Sequence, residues 1–178
     1  MTPKKMIVMG VSGCGKSSIG SHLAKTLGLN FFDGDDFHPP ENVRKMSQGI
    51  PLNDDDRTEW LATLNQLLRQ ESHAVLACSA LKPDYRAQLR DGVDDLVWVY
   101  LQGDFGTIWQ RHQQRSDHYF NGRTMLESQF ATLVEPAQDE ALFVDIRQTQ
   151  AAVLQEILNR LPETGSLVES PMVERNKG

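Results

Sequence analysis

The chain has 178 residues, 39% apolar and 24% charged, the balance of an ordinary globular fold with room for one packed sheet. Its formal net charge of −6 argues against a nucleic acid or an anionic membrane as partner, since both need a basic face, while a few local cations suffice for a small anion. No apolar stretch approaches the roughly 20 residues that cross a bilayer, Met6–Met9 is too short for a signal-peptide core, and Cys14 and Cys78 form neither a disulfide framework nor a C-x-x-C site; the expectation is a soluble cytoplasmic protein with free thiols.

In chain order, Met6–Met9 reads as a buried parallel strand that ends at Gly10. Ser17–Leu27 carries Ile19, Leu23 and Leu27 at steps of four, the pattern of an amphipathic helix, and Gly28 stops it. Leu29–Phe32 is a second strand, running into the acidic stretch Asp33-Gly34-Asp35-Asp36, which reads as a loop. Pro39 and Pro40 open a short polar helix to about Met46, and Gly49–Pro51 breaks the pattern. Asn53 or Asp54 caps a helix from Asp55 to Gln70 that buries Leu61, Leu64, Leu67 and Leu68. Then come a strand over Ala74–Cys78, a helix over Lys82–Arg90 and the most β-rich run of the chain, Leu96–Leu101. Asp104 caps a helix towards Arg115, Ser116–Arg123 is a polar loop, Thr124–Leu133 is helical, Leu142–Ile146 is a strand and Ala151–Leu161 a last helix. Periodicity stops at Pro162, so residues 163–178 read as a frayed, disordered tail behind a domain of residues 1–162. The fold class is α/β, with three layers and a five-stranded parallel sheet carrying helices on both faces.

Gly10-Val11-Ser12-Gly13-Cys14-Gly15-Lys16-Ser17 matches G-x-x-x-x-G-K-[ST] between a strand and a helix. Glycines let backbone N–H groups point inward, and those groups at a helix N-terminus hold a β-phosphate. Lys16 would reach the β- and γ-oxygens, and Ser17 would offer its hydroxyl to Mg²⁺. Binding of ATP with Mg²⁺ by this P-loop is the expectation, and oxidation of Cys14 inside it would block the nucleotide. The acidic stretch ends the second strand, on the side of a parallel sheet where ligands lie. One of its carboxylates would orient an acceptor hydroxyl and take its proton, and a second would support Mg²⁺. His38 follows closely and is a candidate substrate contact.

These residues resemble the gluconokinase family. The specific stretches are Asp33-Gly34-Asp35-Asp36-Phe37-His38-Pro39, Gly49-Ile50-Pro51-Leu52-Asn53-Asp54-Asp55-Asp56-Arg57, Cys78-Ser79-Ala80-Leu81-Lys82 with Tyr85-Arg86, and Leu101-Gln102-Gly103-Asp104. The resemblance covers about Met6 to Ile146. It implies a P-loop NTPase fold like that of shikimate kinases, a mobile lid, transfer of phosphate from ATP to D-gluconate giving 6-phosphogluconate, and a homodimer. By similarity to the Asp-x-Asp of shikimate kinases it implies Asp33 near Mg²⁺ and Asp35 near the accepting hydroxyl, with Asp36 adjacent as another candidate base.

A gluconate carboxylate needs a cation, and the candidates are Lys45, Arg57, Lys82 and Arg86, the arginines ahead because they can bind a carboxylate in two places. Arg111, Arg115 and Arg123 surround Ser116–Tyr119, so a lid over about residues 111–124 is expected, with Arg111 and Arg115 stabilising charge on the transferring group. Trp98 reads as core and Trp60 as packing under the substrate helix. The alternatives are another small kinase, with shikimate or a nucleotide as acceptor, and an ATP-binding switch protein that hydrolyses slowly with no acceptor.

Overall fold

A run such as Met6–Met9 has no polar face to give to water, so its side chains must be covered on both sides. The computed structural model, which describes residues 3–114 and 122–162, meets that demand with a parallel sheet. The strands are β1 (Lys5–Met9), β2 (Asn30–Asp33), β3 (Ala74–Ala77), β4 (Leu96–Gln102) and β5 (Leu142–Asp145). They lie in the order β2-β3-β1-β4-β5, and every neighbouring pair is parallel. Val8 is paired with Ala77 on one side and Val99 on the other. Met6, Ile7, Val8 and Met9 are fully buried.

The helices are α1 (Lys16–Leu27), α2 (Pro40–Ser47), α3 (Asp54–Gln70), α4 (Pro83–Arg90), α5 (Phe105–Gln114), α6 (Gly122–Thr132) and α7 (Gln150–Arg160). α1 packs on β1, β2 and β3 and against α7; α3 pairs with α4, and α5 with α6. Right-handed crossovers put α1 and α3 on opposite faces, because the chain steps outward from β1 to β2 and back inward to β3. α3 buries Trp60, Leu61, Leu64 and Leu68, at the spacing of one helical stripe. Its start is fixed by a capping box: Asn53 Oδ1 accepts from Asp56 N at 2.8 Å, and Asp56 Oδ2 accepts from Asn53 N at 3.0 Å. Asn53 is therefore the cap, and Asp54 opens the first turn.

The acidic stretch is more regular than the expected loop. Gly34–Phe37 forms one 3₁₀ turn, closed locally because Asp33 Oδ1 accepts from Asp35 N at 3.0 Å. α6 also starts at Gly122, inside the expected polar loop. Of the expected lid, residues 115–121 lie outside the described residues, as does the whole of 163–178.

Candidate active site

β1, β2 and β3 deliver their carboxyl ends to one rim of the sheet, and the chain changes direction of travel there, stepping out to β2 and later across to β4. Such a switch point opens a crevice between the loops that leave adjacent strands. Here the loops are the glycine-rich segment after β1, the acidic turn after β2 and Cys78–Lys82 after β3. Gly10 N donates to Ser79 O at 3.3 Å, tying the first of these to the third.

Gly13 stands at φ 86, and a Cβ on it would lie 2.8 Å from the His112 ring, so both conformation and space demand glycine. No side chain caps α1, so its first-turn N–H groups are left for an anion. One of the loop amides already meets an oxygen: Ser12 N donates to Gln129 Oε1 at 2.6 Å. Lys16 and Ser12 face a cleft of about 310 Å³ that Asp35, His38, Arg57 and Gln129 also line.

The acidic turn is pressed against the sheet. A Cβ at Gly34 would approach Ala77 O to 2.8 Å, which explains the glycine between two aspartates. Asp33 Oδ2 accepts from Ser17 Oγ at 2.7 Å. These two hard oxygen donors are the fitting set for Mg²⁺, which prefers oxygen and completes its shell with phosphate and water. Among the described residues no cluster of three His, Cys, Asp or Glu side chains could hold a metal alone. The side chain of Asp35 is 69% exposed towards the cleft, and that of His38 only 3%. The imidazole beside it holds the Asp35 carboxyl below the usual carboxylate range, assisted by the charge of Lys16. His38 stacks on Trp60 at 4.2 Å between ring centroids, and Trp60 Nε1 donates to Gly34 O at 2.7 Å.

The four expected cations separate sharply in their surroundings. Arg57 is buried, lines the cleft and donates to the hydroxyl of Tyr85 at 3.0 Å. That hydroxyl in turn donates to Asp54 Oδ1. Lys82 is paired with Asp54 at 3.0 Å, and Lys45 with Asp56 at 2.8 Å. No carboxylate lies within ion-pair distance of Arg57 among the described residues. Arg86 is turned into the interior, 2% exposed, and donates to Ala80 O at 2.8 Å and Val134 O at 2.9 Å. It does not line the cleft; it ties the loop after β3 to the segment after α6.

A second hollow, also of about 310 Å³, lies on the far side of the glycine-rich loop, against Cys14, Gly15, Arg111, Gln148, Thr149 and Gln150. Arg111 donates to Ile146 O. Arg115 lies outside the described residues. Thus Lys16, Asp35, His38 and Arg57 share one cleft, Ser17 and Asp33 join beside it, and Arg111 borders the other hollow. Sequence reasoning missed Gln129, Tyr85 with Asp54, and Gln148–Gln150. Gln129 sits in a helix with no local motif; Tyr85 belonged to a quoted stretch but carried no assigned role.

Comparison with known proteins identifies the family and the fold. The family model described as shikimate kinase matches residues 12–162. The chain is 41% identical to a probable gluconokinase of Xenopus tropicalis, over 93% of this chain and 97% of that one. It is 46% identical to the thermoresistant gluconokinase of Escherichia coli (strain K12), over 83% and 87% of the two chains. A crystal structure of a gluconokinase from Sinorhizobium meliloti 1021 superposes with a TM-score of 0.83 at 41% identity, over 89% and 91% of the two chains.

Proposed function

This chain belongs to the gluconokinases of the shikimate kinase family, and from that premise we propose that it transfers the γ-phosphoryl group of ATP to a hydroxyl of D-gluconate, giving 6-phospho-D-gluconate and ADP. The observation that carries the reading is Arg57, a buried guanidinium in the same cleft as Lys16 and Asp35, paired to a phenol rather than a carboxylate. An arginine so placed answers the carboxylate of a sugar acid.

The glycine-rich loop divides the site into two sides. The hollow bordered by Arg111 and Gln148–Gln150 takes the nucleoside, and the backbone amides of Gly10–Ser17 take the β-phosphate. Lys16 offsets charge on the β- and γ-oxygens as the bond to the leaving oxygen lengthens. Ser17 and Asp33 hold Mg²⁺, which when bound neutralises phosphate charge. On the other side Arg57 receives the gluconate carboxylate and so fixes which hydroxyl reaches Asp35. Asp35 orients that hydroxyl and accepts its proton as the oxygen attacks, a contribution of about 100- to 10,000-fold in related chemistry. Lys45 and Lys82 act at one remove, since each is committed to a carboxylate that shapes the start of α3. Arg86 acts as scaffold, and Arg115 with the lid keeps the role the sequence implies. The reading also carries a kinase domain of residues 1–162, a homodimer and a cytoplasmic setting; light scattering of the purified chain decides the dimer.

Coupled measurement of ADP release tests the reaction, with Mg-ATP and a panel of gluconate, other aldonates, shikimate and nucleoside monophosphates. Rapid turnover with gluconate is expected. ATP binding with no acceptor-dependent turnover overturns it.

A further inference from the structure

Asn42, buried in α2, fixes the protonation of a neighbour. Its Nδ2 donates to the main-chain oxygen of Asp56 at 2.7 Å. A carbonyl oxygen only accepts, so the atom facing it must be the NH₂ group and the orientation of the amide is settled. The same Nδ2 lies 3.2 Å from His38 Nδ1. An NH₂ group has nothing to accept with, so His38 Nδ1 must present its lone pair. A neutral imidazole whose Nδ1 accepts carries its hydrogen on Nε2. That Nε2 lies 3.7 Å from Asp35 Oδ1.

We propose that His38 is a positioning residue whose Nε2–H, imposed by Asn42, orients the carboxylate of Asp35 towards the acceptor hydroxyl. The ring has little freedom to do otherwise. Trp60 stacks on its face with 15° between the planes, and Trp60 is itself bonded to Gly34, the residue before Asp35. α2 thus sets the tautomer, α3 sets the ring plane, and both act on the turn that carries the carboxylate. The 3.7 Å separation exceeds a hydrogen bond. Contacts of this kind tighten when the substrate complex forms. With Oδ1 facing His38, Oδ2 is left to the hydroxyl. His38 is neither the base nor a ligand of the sugar acid on this account, and its role rests on the reading of Asp35 given above.

The test begins with the full-length protein, ¹⁵N-labelled at histidine, with no ligand added. Long-range ¹H–¹⁵N correlations at neutral pH should show His38 with a protonated Nε2 and a bare Nδ1. Assignment comes from the spectrum of His38→Gln. A protonated Nδ1 overturns the proposal, as does a doubly protonated ring. Kinetics supply the second reading. His38→Ala should lower kcat by about tenfold to hundredfold, the cost of misplacing a reacting group, with the KM for ATP unchanged. His38→Gln, whose amide NH₂ can reach the place of Nε2–H, should recover most of that loss. Equal impairment in the two variants overturns the proposal. Failure of the Asp35 reading is separable: Asp35→Asn would then turn over normally, while the tautomer in the free protein would stand.

Discussion

Ser17 Oγ donates to Asp33 Oδ2 at 2.7 Å, so the last residue of the phosphate loop and the last residue of β2 hold each other across the gap between two loops. If this pair receives Mg²⁺, its members act as a unit. Ser17→Ala and Asp33→Asn should each raise the free Mg²⁺ needed for half-maximal rate by about tenfold or more. The double variant should be less impaired than independent losses predict. Initial rates against free Mg²⁺ at saturating ATP and gluconate measure both effects, and unchanged Mg²⁺ dependence in both single variants removes the assignment.

Arg57 should govern affinity for the acid. A hydrogen-bonded charge contact is worth about 1.5 to 3 kcal/mol, so Arg57→Ala should raise the KM for gluconate by roughly tenfold to hundredfold and leave that for ATP alone. Arg57→Lys should fall between, since an ammonium lacks the fork. Tyr85→Phe should act in the same direction with smaller effect, because it frees Arg57 from its hydroxyl partner and strips Asp54 of a donor. A wild-type KM for gluconate in Arg57→Ala would falsify the placement of the carboxylate.

Acid should loosen the fold in a defined window. Asp54 is held below the usual 3.8 by the Tyr85 hydroxyl and Lys82, Asp56 by Lys45 and the Asn53 amide, and Asp145 is brought to about 2 by Arg147. These folded-state values lie below the unfolded ones, so the unfolded chain binds more protons and stability rises with pH across the gap. The contribution is complete above about 3.8 and is lost as pH falls towards about 2. Denaturation midpoints measured by circular dichroism across that window should decline, and less steeply in Lys45→Met. A midpoint indifferent to acid would contradict the pairing.

The thiols should be silent. Cys14 and Cys78 are 2% and 1% exposed. Burial pushes both thiols up, Cys78 to about 12, so neither offers a thiolate at neutral pH. Mass spectrometry after iodoacetamide should find neither modified in the folded protein and both modified in denaturant. Mild peroxide should leave ATP affinity unchanged, contrary to what the position of Cys14 in its loop alone leads one to expect. Rapid alkylation of native Cys14 would refute the burial.

The parts of this molecule legible from sequence are those in which a few neighbouring residues suffice to impose the outcome. The strand–loop–helix around Gly10–Ser17 is one, because its glycines, lysine and serine act within eight positions. The five strands are another, since their apolar runs and the helices between them leave a parallel sheet as the arrangement that buries both faces. The 3₁₀ turn at Gly34–Phe37 is not legible in the same way, because its closure depends on one carboxylate reaching two residues ahead. The sorting of the cations was less legible still. Lys45, Arg57, Lys82 and Arg86 look alike in sequence. What separates them is whether Asp56, Asp54, a phenol or a buried carbonyl stands opposite, which depends on how α3 and α4 meet. Gln129 is the extreme case, since its contact with Ser12 spans more than a hundred residues and leaves no trace in either local pattern.

The central place of β1 also has a consequence for how the chain comes to be folded. Lys5–Met9 precedes both of its neighbours, β3 and β4, in the chain, and Val8 meets Val99 about ninety residues later. Until β4 has formed, the central strand of the sheet has one edge bare, and bare strand edges invite pairing with other chains. Folding therefore cannot proceed by adding strands in order of synthesis; it waits on closure of a long loop, whose entropic cost slows such topologies relative to helical bundles. Nascent fragments ending before Leu96 should be the aggregation-prone species, and those extending past Gln102 the first to resist protease.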